Sequence, residues 1–408
     1  MAIARIGSDS VKILFILGSL VIGGGGYVVL QHAEHARAAG HEVTLAVLYP
    51  GAHAQLSWHP SLATLKILHV DDWDAVAGER FDIAIATYWR TALELHRFNA
   101  RQYAYFVQSI ESRFYDESQA SMRRLVDRTY ELGLPGITEA TWIQRHLQDR
   151  YGSAYLLAHN GIRKTSYTEL GAAHAPRIPG KLRVLVEGPF SSIFKNTART
   201  VRLAARSRAA ETWLLTSSDV LWYPRVRRVF SRVPIDQVAM VYRSCDVIVK
   251  LSLVEGMFGP PLESFHCGGT AVVYDVSGYD EYIVNGRNAL VAAMHDEAAV
   301  VAHLNRLCDD PQLLAQLKDG ARATAATWPD WPEASALFVR HLEALLAGEP
   351  VLREQLVAHT SAIFDEFAAE LLPRVTHSGT VAAPGLWPGK DALRRGKRMW
   401  SYILEGYR

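Results

Sequence analysis

The chain has little cysteine, no long hydrophobic run and almost no net charge, and each shortage removes a class of protein. Three cysteines in 408 residues, Cys245, Cys267 and Cys308, cannot all pair and show no C-x-x-C spacing. That excludes a disulfide scaffold and a cysteine-based metal site, and points to a reducing compartment with structural thiols. The apolar run from Ile13 to Ile22 is shorter than the roughly 20 residues a membrane span needs. It also lacks an A-x-A-like cleavage site and ends in four glycines, so it reads as a buried first strand rather than a signal peptide. A formal net charge of +1 gives no global attraction to nucleic acid, and any partner has to be read from local sites.

What is present is the mixture of a soluble globular protein, 49% hydrophobic and 21% charged, in a chain long enough for two domains. "KILFIL" is a short strongly apolar run, followed by Gly23, Gly24, Gly25 and Gly26 and then by helical spacing at Val28, Val29, Ala33 and Ala36. Gly40 suits a helix C-cap and "EVTLAVL" reads as the next strand, which makes a strand, glycine-rich loop, helix, strand unit. Further strand candidates are "TLKILHV", "FDIAIAT", "YAYFVQS" and "LPGITEA". Alternating strands and helices predict an α/β fold with a parallel, doubly wound sheet.

Near residue 160 the pattern pauses in "AHNGIRKTSYTELGAAHAPRIPGK", rich in Gly, Pro and polar residues, and a second α/β series starts at "LRVLVEG". The expected organisation is an N-terminal Rossmann-like domain over 1–168, a second one over 169–345, and a helical extension with a basic, aromatic tail over 346–408. Two doubly wound domains in tandem leave a cleft between the carboxyl ends of their strands, and a ligand is expected there.

The stretch "SLVEGMFGPPLESFHCGG", residues 252–269, places Glu255 and Glu263 on either side of a Gly/Pro turn. "DVIVKLSL" reads as a buried strand and "PPLESFHC" as a helix, with Pro260 or Pro261 near its first position, where a missing N–H costs nothing. Glu263 then falls in the first helical turn. The backbone N–H groups of Met257, Phe258 and Gly259 are expected to face the cleft, where a helix N-terminus can hold phosphate. Carboxylates repel phosphate but accept hydrogen bonds from paired hydroxyls. The arrangement suggests a nucleotide-sugar, with the diphosphate between, the ribose on one glutamate and the sugar on the other.

"EGMFGPPLE" resembles the E-G-F-G-L-P-x-L-E signature of retaining glycosyltransferases of family 4, which have the GT-B fold. The E-x7-E spacing is kept, with Gly256, Pro260, Leu262 and Glu263 in register, while Phe258 replaces the second glycine and Gly259 stands one position later. "YRSCDVIVKLSLVEG", "GGTAVVYDVSGYDEYIVNGRNALV" and "HNGI" extend the resemblance over most of residues 12–345. The resemblance implies that Glu263 binds the ribose hydroxyls, that Glu255 binds the donor sugar, and that Gly23 to Gly26 lie near the diphosphate. Of the family's G-R-x-n-K pattern, "VEGPFSSIFKNT" keeps Gly188 and Lys195 and lacks the arginine; Lys195 is the implied neutraliser of the leaving group, with Arg199 a weaker substitute. No metal or other cofactor is implied.

"YAYFVQSIESRFY" resembles the Y-F-x-Q-x-x-E-x-x-F-Y segment of bacterial rhamnosyltransferases of surface-polysaccharide assembly. That subset implies Gln108, Glu111 and Tyr115 on the acceptor side and dTDP-rhamnose as donor. The expected partners are a nucleotide-sugar and a saccharide or lipid-linked glycan, at the cytoplasmic face of the membrane, with no nucleic acid.

Other features carry less. Asp72-Trp73-Asp74 has the D-x-D form that binds manganese in other glycosyltransferases, but the two-domain layout argues against that fold. His32, His35 and His41 lie on or just past an amphipathic helix, without a carboxylate at ligand spacing. Lys390, Arg394, Arg395, Lys397, Arg398 and Arg408, interleaved with Trp387, Trp400 and Tyr402, form either a loose end or a peripheral anchor for anionic lipid. Two rival readings remain: a sugar-nucleotide epimerase of the same architecture, and a nucleotide-sugar-binding protein without turnover.

Overall fold

The computed structural model describes residues 10–20, 23–48, 58–70, 76 and 78–376, with side chains through residue 368. The Asp72-Trp73-Asp74 segment and the basic tail lie outside the described residues. Those through Thr360 belong to one compact unit, and those from Ser361 onward to a second.

The first sheet is built from β1 (Lys12–Leu17), β2 (Glu42–Val47), β3 (Lys66–His69), β4 (Arg80–Ala86), β5 (Asn99–Val107), β6 (Gly136–Thr138) and β7 (Leu156–Leu157). Its order is β3-β2-β1-β4-β5-β6-β7, and every pairing is parallel. Helices α1 (Gly24–Ala38), α2 (Trp89–Glu94), α3 (Ala120–Thr129) and α4 (Thr141–Tyr151) connect the strands. Strands covered on both faces must be apolar throughout, and Ile13 to Leu17 are buried at every position.

The second sheet has the order β10-β9-β8-β11-β12-β13, again parallel throughout. Its strands are β8 (Arg183–Glu187), β9 (Glu211–Thr216), β10 (Arg228–Ser231), β11 (Val247–Lys250), β12 (Thr270–Tyr274) and β13 (Ala289–Ala292). Its helices are α5 (Thr197–Ala204), α6 (Val238–Ser244), α7 (Gly259–His266), α8 (Glu297–Asp309) and α9 (Pro311–Thr327). The expected pair of doubly wound α/β domains is thus present. In each sheet the winding reverses once, between β1 and β4 and between β8 and β11, and these reversals open crevices at the strands' carboxyl ends.

Three local expectations change. Gly24, Gly25 and Gly26 form the first turn of α1 rather than a loop, with the Tyr27 N–H donating to Gly23 O at 3.0 Å; packing of the helix's apolar face overrides glycine's poor propensity. The short strands β7 and β10 have no clear period of their own and are recruited by their neighbours. Finally, α10 (Trp331–Ala347) does not stay with the second sheet.

Trp331, Phe338, Leu342 and Leu345 of α10 share one core with Phe15, Val29 and Ala33 of the first domain. The His32 ring stacks on Phe338 at 4.0 Å and 8°, and its Nδ1 bonds Ser335 Oγ at 3.0 Å; burial pushes this imidazole down to about 3. The domain boundary expected at residue 345 is therefore crossed earlier, because helical periodicity shows an apolar face but not which sheet it covers. The two crossings run side by side: the Ile162 N–H donates to Pro329 O at 3.1 Å, and Trp328 Nε1 donates to Asn160 O at 2.9 Å. A last helix, α11, spans Arg353–Thr376. Among the described residues no helix is long and apolar enough to cross a membrane.

Candidate active site

The second sheet's reversal point gathers the charged groups. Glu187 ends β8 and Lys250 ends the adjacent β11. Lys250 Nζ donates to Glu187 Oε2 at 2.5 Å and stands 3.9 Å from Glu255 Oε1. Lys195, on a 3-10 turn after β8, donates to Glu255 Oε2 at 2.7 Å. The two loops that carry this pair are tied by the Leu253 N–H to Phe194 O at 2.7 Å and by Asn196 Nδ2 to Leu251 O at 3.0 Å. Gly188 opens the first loop with φ +151°, and a Cβ there would meet Thr197 Oγ1 at 2.6 Å, so glycine is required.

Glu255 is buried. Burial alone would raise its pKa, but the charges of Lys195 and then Lys250 outweigh it and hold the carboxyl below its ordinary range. The result is an ionised carboxylate at the crevice floor with two cations beside it. Its Oε1 is buried without a hydrogen-bond partner among the described residues.

Glu263 is placed differently. Helix α7 begins at Gly259 and has no acidic residue in its first turn, so Glu263 falls just past the turn expected for it. It is partly buried. Burial pushes it up to about 7, opposed by the hydroxyls of Tyr242 and Tyr167 and reinforced by Glu187. Arg163 lies nearby and its NH2 donates to the Tyr27 hydroxyl at 3.2 Å.

The N–H groups expected to face phosphate are largely engaged within the protein. The Met257 N–H donates to Glu139 Oε1 at 3.0 Å, and the Gly259 N–H to Met257 O at 3.0 Å. The side chains of Met257 and Phe258 are anchors in the second domain's core, and Phe258 O accepts from the Tyr282 hydroxyl. A protein carboxylate and a tight turn have taken donors that the helix-terminus argument left free. The first turn of α1 retains such donors, since the leading N–H groups of a helix have no partner within it, and Gly24 and Gly25 are exposed.

The first domain supplies the opposite wall. Gln108 follows β5 and touches both sides: its amide lies 3.4 Å from where a Gly25 Cβ would be, and its carbonyl only 1.9 Å from where a Gly256 Cβ would be. Any side chain at 256 would push the walls apart, which explains the Glu255-Gly256 pair. Trp142 Nε1 donates to Gly256 O at 2.9 Å, Arg113 NH1 to Ser277 Oγ at 2.5 Å, and Phe114 stacks on Phe194 at 4.7 Å.

Of the acceptor-side candidates, Tyr115 is partly exposed beside Trp89, but Glu111 is turned inward. Its Oε2 accepts from the Trp89 N–H at 2.7 Å and the Tyr105 hydroxyl at 3.3 Å, and burial raises it to about 8. It braces the wall and does not face the crevice. Arg199 also stands apart, paired with Glu297. The sequence reading missed Lys250, whose signal was a lone lysine closing an apolar strand, and Glu139, a carboxylate just after "GIT". Among the described residues there is no cluster of three or more His, Cys, Asp or Glu able to hold a metal ion.

Residues 225–324 match the family model "Glycosyl transferases group 1", a span that holds Lys250, Glu255, Glu263 and α7. No curated protein sequence matches the chain. Among solved structures, the chain resembles sucrose-phosphate synthase from Thermosynechococcus elongatus, with 16% identity, 83% of this chain and 99% of that one covered, and a TM-score of 0.65. It also resembles HepE from Anabaena in complex with UDP-glucose, with 15% identity, coverage of 82% and 100%, and a TM-score of 0.64. The third is WaaG, a glycosyltransferase involved in lipopolysaccharide biosynthesis, with 14% identity, coverage of 80% and 99%, and a TM-score of 0.60. The matched segment and the two-sheet architecture together support a glycosyltransferase of GT-B fold.

Proposed function

We propose that the protein is a retaining glycosyltransferase that moves a sugar from a nucleotide-sugar to a hydroxyl of a saccharide or lipid-linked glycan, without a metal ion. The observation that carries this reading is the Lys195–Glu255 pair at 2.7 Å, set at the crevice floor with Glu263 eight positions on. It is supported by the complex of the similar HepE with UDP-glucose.

In this reading the donor exchanges the partners of the pair. Its diphosphate takes the Lys195 ammonium, and a sugar hydroxyl donates to Glu255, whose charge Lys250 continues to hold from 3.9 Å. Glu263, with Tyr242 and Tyr167 beside it, accepts the ribose hydroxyls. The bond from the anomeric carbon to the diphosphate breaks while the acceptor oxygen bonds to that carbon on the same face, and the departing phosphate takes the acceptor's proton. Lys195 and the leading N–H groups of α1 meet the charge that grows on the leaving oxygen, which lowers the barrier without a metal ion.

The segment from Tyr103 to Tyr115 makes dTDP-rhamnose the first donor to try. The test is donor turnover in EDTA, read as nucleoside diphosphate release with and without a glycan acceptor, and anomeric configuration of the product by NMR. Acceptor-dependent release with retained configuration is expected. Conversion of the donor to an epimeric nucleotide-sugar without acceptor and without net diphosphate release would select an epimerase, and binding without any change in the donor a non-catalytic protein.

A further inference from the structure

The buried carboxylate of Glu139 belongs to the first domain but serves the second. It follows β6, is 5% exposed, and spends both oxygens: Oε1 accepts the Met257 N–H at 3.0 Å and Oε2 accepts Asn160 Nδ2 at 2.8 Å. Its Oε1 also lies 2.9 Å from where a Gly256 Cβ would be. The other end of the same peptide is gripped from the same side, through Trp142 Nε1 on Gly256 O at 2.9 Å. One carbonyl and the next N–H of the turn that follows Glu255 are therefore both held by the first domain.

We propose that Glu139 is a positioning residue that, through the Met257 N–H, sets the turn carrying Glu255, so that the donor-side carboxylate is in place only while the two domains stand together. The inference rests on the proposed transfer reaction for its purpose, and on the hydrogen bonds alone for its structure. The charged groups that face Glu139 are Glu255 and Lys195, acting in opposite directions; burial and Glu255 raise its carboxyl to about 7 against Asn160, Met257 and Lys195.

The identity of the bond makes a rescue available. Asn160 Oδ1 is buried without a partner. In Glu139→Gln the new amide can still accept the Met257 N–H and donate to a flipped Asn160, whereas Glu139→Ala loses both bonds.

The experiment is amide hydrogen exchange over residues 252–260 in the full chain, with exchange in β1 and β8 as the control for folding. Loss of one charge-assisted hydrogen bond should speed exchange at the Met257 amide by at least about tenfold in Glu139→Ala and by no more than about twofold in Glu139→Gln. Wild-type exchange in Glu139→Ala would overturn the proposal. So would equal loss in both variants, because a cavity rather than a hydrogen bond would then set the turn. If Glu139→Ala does not fold, Glu139→Asp, which retracts the carboxylate by one methylene, gives the same comparison. UDP, dTDP, GDP and ADP are titrated into the same samples. A wild type that binds none of them overturns the proposed function, while the exchange comparison still decides the role of Glu139.

Discussion

Lys195 and Glu255, sixty residues apart in the chain, meet at 2.7 Å in a site where Glu255 is almost wholly withdrawn from water. An ion pair of this kind does little for stability, because desolvation offsets much of the attraction. In the proposed function its use is instead to bind a ligand that carries both hydroxyls and phosphate.

Lys195→Ala should lower kcat by about 100-fold or more, the scale for removing a group that stabilises charge in the transition state. KM for the donor should change much less, since the leaving charge is greatest after binding. Steady-state kinetics in EDTA separate the two, and an unchanged kcat would remove Lys195 from the chemistry.

Lys250→Met should destabilise the fold rather than act on turnover alone. It leaves Glu187 and Glu255 beside each other without the cation now 2.5 and 3.9 Å away, a loss of about 3 to 5 kcal/mol for a broken buried pair. Adding Glu187→Gln should recover part of it in urea unfolding. No recovery would show that Lys250 acts mainly through Glu255.

Gly256→Ala should abolish activity while each domain stays folded. The added methyl would lie 1.9 Å from the Gln108 carbonyl oxygen, a backbone atom with no freedom to turn aside. Scattering should report a more open particle; an active variant with wild-type scattering would contradict the closed arrangement.

Stability should fall as pH rises from about 6.5 to 8. Burial holds Glu111 at about 8, and Glu139 and Glu263 at about 7. A carboxyl whose folded pKa exceeds its unfolded value keeps a proton that the unfolded chain has lost, so its contribution declines as pH climbs to the folded pKa. His32 and His59, lowered to about 3 and about 4, act in the opposite sense, but only below about 6.5. For Glu111 the window is worth about 2 kcal/mol. Thermal unfolding across it should flatten in Glu111→Gln, and an unchanged slope would exclude Glu111 as the source.

The sheets were legible in the sequence because strands covered on both faces are apolar without interruption, as at Ile13–Leu17 and Val247–Val249. Glu255 and Glu263 stood out because they flank a Gly/Pro turn after an apolar strand, whereas Lys195 was singled out only through the resemblance to the family's G-R-x-n-K pattern. Phe338 shows the limit, since its helical period is plain but nothing local says that it will lie on His32, some three hundred residues earlier. Glu111 and Glu139 show another: both follow an apolar strand, and only the packing around them turns one inward as a brace and the other across to Met257.

The most direct test of the account is calorimetric titration of UDP, dTDP, GDP and ADP, in EDTA, into wild type and Glu263→Ala. The account predicts selective binding of one base without metal, weakened in the variant by about 1.5 to 3 kcal/mol, the worth of a hydrogen bond to a charged group. Absence of binding to the folded wild type, or equal affinity in the variant, would contradict a donor site in which Glu263 holds the ribose.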